Sequence, residues 1–96
     1  MTRLVVSPRG QADLDAIWDY TVKHWGIEQA EFYVRQRETA IKSVAVEPRL
    51  GRPCDEICAG YKKYPAGSHV LFFRVTSAGI DVVRILHRHM DFDLHL

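Results

Sequence analysis

The stretch FFRVTSAGIDVVRILHRHMD, residues 72–91, decides how this chain folds. It reads as two apolar strands, residues 69–76 and 80–88, joined by a three-residue turn, Ser77-Ala78-Gly79. With Thr76 facing Ile80, antiparallel pairing sets Arg74 opposite Val82, Phe72 opposite Arg84 and Val70 opposite Leu86. One face then carries Leu71, Phe73, Val75, Val83 and Ile85, with His69 and His87 at one end. The other carries Val70, Phe72, Arg74, Val82, Arg84, Leu86 and Arg88. The first face is nearly pure hydrocarbon and is expected to meet helices. Burying the three unpaired arginines of the second would be very costly. That face is therefore expected to stay open, its apolar rows part-exposed as on an interaction surface.

Working back towards the N-terminus, RLVVS (residues 3–7) is short and β-branched, as a strand requires. Ser7-Pro8 is a helix start, with Ser7 as N-cap and Pro8 in the first turn. Leu14, Ile17, Trp18, Thr21 and Trp25 recur at helical spacing, and Gly26 stands where a helix-ending glycine belongs. A second helix follows at once, with Ala30, Tyr33, Val34, Ile41 and Val44 on one face and Pro48 as its latest end. Arg37 interrupts that face. Either its stem packs while its head reaches water, or it contacts a partner. Residues 47–60, EPRLGRPCDEICAG, read mostly as loop. YKKY reads as a short strand, and YPAGS as a turn with Pro65 at its second position.

The order β-α-α-β-β-β gives an α+β fold. A helical hairpin packs on one face of a small, mainly antiparallel sheet. Ninety-six residues suit a single domain over residues 1–96. The net charge of +1 supplies no whole-molecule field toward nucleic acid or membrane, so any electrostatic function must come from local clusters. No apolar run approaches the ~20 residues of a membrane span. The start, MTRLVVSPRG, lacks a secretory pattern, and the expected location is the cytoplasm. There the two cysteines, Cys54 and Cys58, are expected to be reduced and structural. Four apart with no second pair, they support a zinc site only weakly, and neither metal nor cofactor is expected. His87 and His89 form an H-x-H pair beside Arg84 and Arg88. Such a histidine suits general acid–base cleavage of RNA, or simply caps a strand end. Phosphate-loop, dinucleotide, zinc-protease and nucleophile-elbow motifs do not occur.

Nearly the whole chain resembles the ParE branch of the RelE/ParE toxin superfamily. LVVSPRGQADLDAIWDYTVKHWG is similar to the family's first strand, Ser-Pro helix start and I-W-x-Y helix. QAEFYVRQRETAIKSVAVEPRLGRPCDEICAGYKKY is similar to its A-x-x-Y…A-I…P-x-x-G…D-E-I…G-Y-[RK] pattern. SHVLFFRVTSAGIDVVRILHRHMD is similar to its last strands and terminal L-H-x-R-x-D. Arg37 departs from the family, which usually has an apolar residue there. The resemblance implies the toxin of a type II toxin–antitoxin system, a poison of DNA gyrase and not an enzyme, neutralised in a hetero-oligomer by a ParD-like antitoxin. Direct sequence-specific binding of nucleic acid is not expected. Arg74, Arg84, His87 and Arg88 are the expected target contacts. Trp18, Tyr20, Arg37 and Phe72 are the expected antitoxin contacts. The alternative is a RelE-like ribosome-dependent mRNA endonuclease using His87 with Arg74 and Arg84. Against it, no tyrosine follows Tyr64, and a lost acid–base group typically lowers the rate ~10²–10⁴-fold. A third reading is a degenerate toxin that retains only antitoxin binding.

Overall fold

The computed structural model describes residues 3–90, Phe92 and Leu96. Strand β1 (Arg3–Val6) leads into α1 (Pro8–Trp25) and α2 (Ile27–Val46). A single 3₁₀ turn, Pro48–Leu50, precedes β2 (Arg52–Pro53), β3 (Lys62–Ala66), β4 (His69–Val75) and β5 (Gly79–His87). The strands form one five-stranded sheet in the order β1-β5-β4-β3-β2. Only the β1–β5 pair is parallel. This is the α+β hairpin-on-sheet architecture expected, with the two-residue strand β2 added within the segment read as loop.

The ends of the helices follow from their sequence. The Ser7 hydroxyl accepts from the Gly10 amide at 2.9 Å, and Pro8 occupies the first turn, where a missing N–H leaves no bond unmade. Gly26 ends α1 and starts α2 at a φ of +95°, a conformation that side chains with a Cβ rarely adopt. Two helices joined this closely must run antiparallel, and their inner faces meet the sheet. Leu14, Ile17, Ile41 and Val44 pack there against Leu71, Phe73, Ile80, Val82 and Ile85.

The β4–β5 hairpin departs from the expected register in one place, and most differences follow from it. Thr76 and Gly79 exchange both backbone hydrogen bonds, so the loop is the two residues Ser77 and Ala78. Val75 therefore opposes Ile80, and Arg74 opposes Asp81 rather than Val82. The residue removed from the loop reappears as a bulge at Val83, beyond which Phe72 opposes Arg84 and Val70 opposes Leu86 as expected. The bulge reverses the alternation of β5. Ile80 and Val82 thus join the helix-facing core, whereas Val83 is half-buried and Val75, at the strand end, is exposed. A bulge orphans backbone groups, and here α1 supplies the partner: the Ser7 hydroxyl donates to the Val83 carbonyl at 2.7 Å.

The preceding turn also lies further along than expected. Pro65 is inside β3, opposite Val70, and the turn is Gly67-Ser68, with φ +65° at Gly67. Pro65 is tolerated because β2 pairs only with Lys62 and Lys63, so no neighbour needs its missing N–H.

The second sheet face is not open. Phe72 and Leu86 are buried there with Cys54, beneath Ile57, Tyr61, Val70, Phe92 and Leu96. The Phe72 and Phe92 rings meet edge-on at 4.8 Å. The sheet thus carries a second, smaller apolar layer made by the segment after β2 and by residues following β5. Asp91, the last position of the L-H-x-R-x-D motif, lies outside the described residues.

Candidate functional site

Beyond Val6, the edge of β5 that faces away from β4 has no strand beside it among the described residues, and α1 closes that edge with side chains. Asp13, in the second turn of α1, accepts from Arg84 Nε at 2.8 Å and Nη2 at 2.9 Å. It also accepts the Ile85 amide at 2.9 Å. The two side chains are only 11% and 15% exposed, which makes this a shielded, two-pronged bridge rather than a surface pair. Its carboxylate holds the Arg84 guanidinium above its ordinary pKa. Asp13→Ala is expected to destabilise the fold by about 2–4 kcal/mol, because it leaves a shielded cation and a strand amide unpaired. Urea unfolding checks this, and a loss below about 1 kcal/mol would contradict the shielding argument.

Arg37 supplies the second polar centre. It lies mid-α2 on the helix face turned towards the sheet and is 1% exposed. Neither alternative read from the sequence describes it: its head reaches neither water nor a free surface. Nη1 donates to Gln36 Oε1 at 2.6 Å and, at 3.4 Å, to the Tyr33 carbonyl. Nη2 donates to Ser68 Oγ at 3.1 Å and to His69 Nδ1 at 2.9 Å. The guanidinium carbon also lies 5.1 Å from the centre of the Tyr33 ring. Among the described residues no carboxylate pairs with Arg37, and its Nε has no hydrogen-bond partner. Burial lowers its pKa, partly countered by Tyr33.

His69 and His87 oppose each other across β4 and β5, with ring centres 5.3 Å apart and nearly perpendicular. The His89 ring follows at 5.1 Å from His87, and its amide donates to His87 Nδ1 at 3.2 Å. Burial, then the Arg37 and His87 charges, lower the His69 pKa to about 4 against a small opposing effect of Asp13. Burial, His89, Arg88 and Arg37 lower His87 as well. Both rings are therefore neutral at pH 7. In the unfolded chain His69 titrates near its ordinary 6.5, so unfolding takes up a proton between the two values. This contribution is full above about pH 6.5 and is lost as the pH falls toward about 4. Melting temperature should fall across that window, with a shallower slope in His69→Gln. A melting temperature that rises on acidification would contradict the assignment.

Asp13, His69 and His87 border one open groove of about 400 Å³ between α1 and the histidine end of β4–β5. Ala16, Ile17, Tyr20, Thr21, Trp25, Tyr33, Ile85, Leu86 and Met90 form most of its wall, with Asp13, Ser68, His69 and His87 at intervals. Tyr20 and Trp25 are 61% and 67% exposed, and Tyr20 stacks on His24 at 4.0 Å.

The expected contacts divide accordingly. His87 and Tyr20 line this groove, and Arg88 is exposed beside it, its amide bonded to the Ser68 carbonyl at 2.9 Å. Trp18 is half-buried and does not line it. Arg84 is held by Asp13 at the sheet edge. Arg74 pairs with Asp81 at 3.1 Å near the hairpin tip, five residues and about 16 Å along β4 from His69. The expected continuous arginine face is thus corrected: a bulge, a helix-borne carboxylate and a covering layer distribute those side chains to different places. Phe72 is 0% exposed and Arg37 1%, so neither offers contact surface in this chain. The reading from sequence placed His69 at one end of a face but gave it no role, and it did not assemble Ser68, Tyr33, Trp25 and Met90. The available signal was Arg37 itself, an arginine on an apolar stripe that needs acceptors.

Cys54 and Cys58 are free thiols, and burial pushes the Cys54 thiol up. Among the described residues no group of three or more His, Cys, Asp or Glu is placed to hold a metal ion. No helix among them is long and apolar enough to cross a membrane.

A family model described as the ParE toxin of the type II toxin–antitoxin system parDE matches residues 4–92. The chain belongs to the ParE toxin family. A protein named Toxin ParE1 from Mycobacterium tuberculosis is 54% identical over 96 residues, covering 99% of this chain and 98% of that one. A Toxin ParE1 from Caulobacter vibrioides is 41% identical over 91 residues, covering 95% and 94%. Among solved structures, a chain of the chromosomal ParDE system from P. aeruginosa superposes with a TM-score of 0.79 at 27% identity, covering 91% of this chain and 96% of that chain. A chain of the RelBE2 toxin–antitoxin complex from Mycobacterium tuberculosis gives 0.64 at 20% identity, covering 91% and 98%, a likeness of fold alone. This ParE-family chain therefore shares its hairpin-on-sheet framework with chains of both a ParDE and a RelBE2 system.

Proposed function

We propose that this chain is the toxin of a type II toxin–antitoxin pair, that it inhibits DNA gyrase by binding, and that a ParD-like antitoxin neutralises it in the cytoplasm. Family membership along the full chain is the observation that carries this reading. The geometry supports binding over RNA cleavage. An acid–base centre for RNA would need arginines converging on His87. Here Arg74 stands far along β4, and Arg84 is engaged by Asp13. An apolar groove with a few polar groups suits instead the apolar side of an amphipathic segment, as an antitoxin tail would offer. Arg74 and Arg88, both exposed, remain the candidate cationic contacts for the target.

Purified, folded protein is expected to block supercoiling by DNA gyrase, with relief on adding the antitoxin encoded beside it. Unchanged supercoiling at stoichiometric excess would overturn the gyrase assignment. Codon-phased cuts in mRNA after induction would instead support the ribosome-dependent nuclease.

A further inference from the structure

The two groove histidines have fixed tautomers. An arginine guanidinium can only donate, so the bond from Arg37 Nη2 requires a lone pair on His69 Nδ1. A backbone amide can likewise only donate, so the bond from the His89 amide requires a lone pair on His87 Nδ1. Each ring therefore carries its hydrogen on Nε2. Two neutral imidazole N–H donors thus border one apolar groove, and the described residues supply no acceptor for either Nε2.

Directly behind His69 lies a buried guanidinium without a carboxylate. A buried cation compensated only by neutral acceptors is incompletely stabilised, and an anion nearby would improve it. The other charge on the groove wall, Asp13, is matched by its two bonds to Arg84. The local balance is thus positive, and Arg88 at the rim adds to it.

We propose that His69 and His87 form a two-donor cradle for a carboxylate, borne by the amphipathic antitoxin segment that fills the groove, with Arg37 as the charge behind it. The occupant rests on the function proposed above. An acidic-apolar peptide fits better than a nucleic-acid strand, because Ile17, Tyr20, Trp25 and Met90 offer apolar wall where a phosphate backbone needs cations. Neutral donors also bind a carboxylate without first surrendering the hydration shell of a cation of their own. Arg37 then acts as a positioning residue: it sets the His69 tautomer and supplies charge through the ring.

The test needs neither gyrase nor the antitoxin. Side-chain ¹⁵N spectra of the full chain at neutral pH are expected to show Nε2–H tautomers for both rings. Titration with acetate should give a saturable shift of both Nε2 signals, whereas acetamide, its neutral isostere, should not. His69→Phe should weaken the acetate response about tenfold, as should Arg37→Met, in which the residual His69 should also lose its tautomer preference. Either ring in the Nδ1–H form, or equal response to acetate and acetamide, overturns the cradle. Tighter binding of dimethyl phosphate than of acetate overturns it in favour of a phosphodiester. The wild-type comparison decides even if a variant fails to fold. Acetate binding by a protein that leaves gyrase untouched would keep the cradle and remove the proposed target. Gyrase inhibition without acetate binding would do the reverse.

Discussion

Gly79→Ala is expected to lower unfolding stability by about 3–5 kcal/mol and to detach β1 from β5. A Cβ at position 79 would lie 2.0 Å from the Arg3 carbonyl oxygen and 2.6 Å from its amide nitrogen. Both are backbone atoms, so no rotamer change relieves the overlap. Gly79 and Arg3 are register partners in the parallel β1–β5 pair, and the Arg3 amide donates to the Ala78 carbonyl at 2.8 Å. The first three residues of β1 are exposed, so few apolar contacts hold the strand once its ladder opens. Urea unfolding with amide hydrogen exchange at Val5 and Ser7, whose amides face β5, checks both parts. A variant within about 1 kcal/mol of the parent, with β1 still protected, would mean that the strands separate here at little cost.

Phe72→Ala is expected to cost about 3–5 kcal/mol, the range for deleting a fully buried aromatic ring. The ring joins Leu86 and Cys54 beneath residues that have little regular structure of their own. Emptying it should open that layer, so Cys54, now fully buried, should react faster with a thiol reagent. Cys58, half-buried in the parent, is the internal control. A loss under about 1.5 kcal/mol with Cys54 still protected would show the layer to be held by other contacts. A Phe72 variant that fails to bind antitoxin would therefore report instability before it reported a lost contact.

How much of this was legible depended on how far away each residue's partners lie. Ser7, Pro8 and Gly26 announce the helix ends because capping acts within one turn. The hairpin order follows from apolar spacing and short connections. The bulge was hidden, because Ser77-Ala78-Gly79 suits a two- or three-residue loop equally. What fixes the choice includes a Ser7 hydroxyl 76 residues away in sequence. The burial of Phe72 was hidden for a related reason: residues 54–61 cover it without any periodic pattern. Arg37 stood out in the sequence as an anomaly, yet its partners, Ser68 and His69, lie 31 and 32 positions on, at a turn that the sequence suggested two residues too early.

The Val83 bulge makes β5 two half-strands of opposite phase. Even-numbered residues before it, Ile80 and Val82, belong with the helices, whereas Leu86 after it belongs with the opposite layer. Deleting Val83 would straighten the ladder and leave Arg84 opposite Phe72 and Ile85 opposite Leu71, so Ile85 and His87 would keep to the groove side; what is lost is the carbonyl at the bulge that takes the Ser7 hydroxyl. Position 83 is thus a spare residue in the phase of β5: single-residue deletions in relatives should be tolerated there, whereas an extra residue elsewhere in the strand needs a bulge of its own to keep its neighbours on their sides.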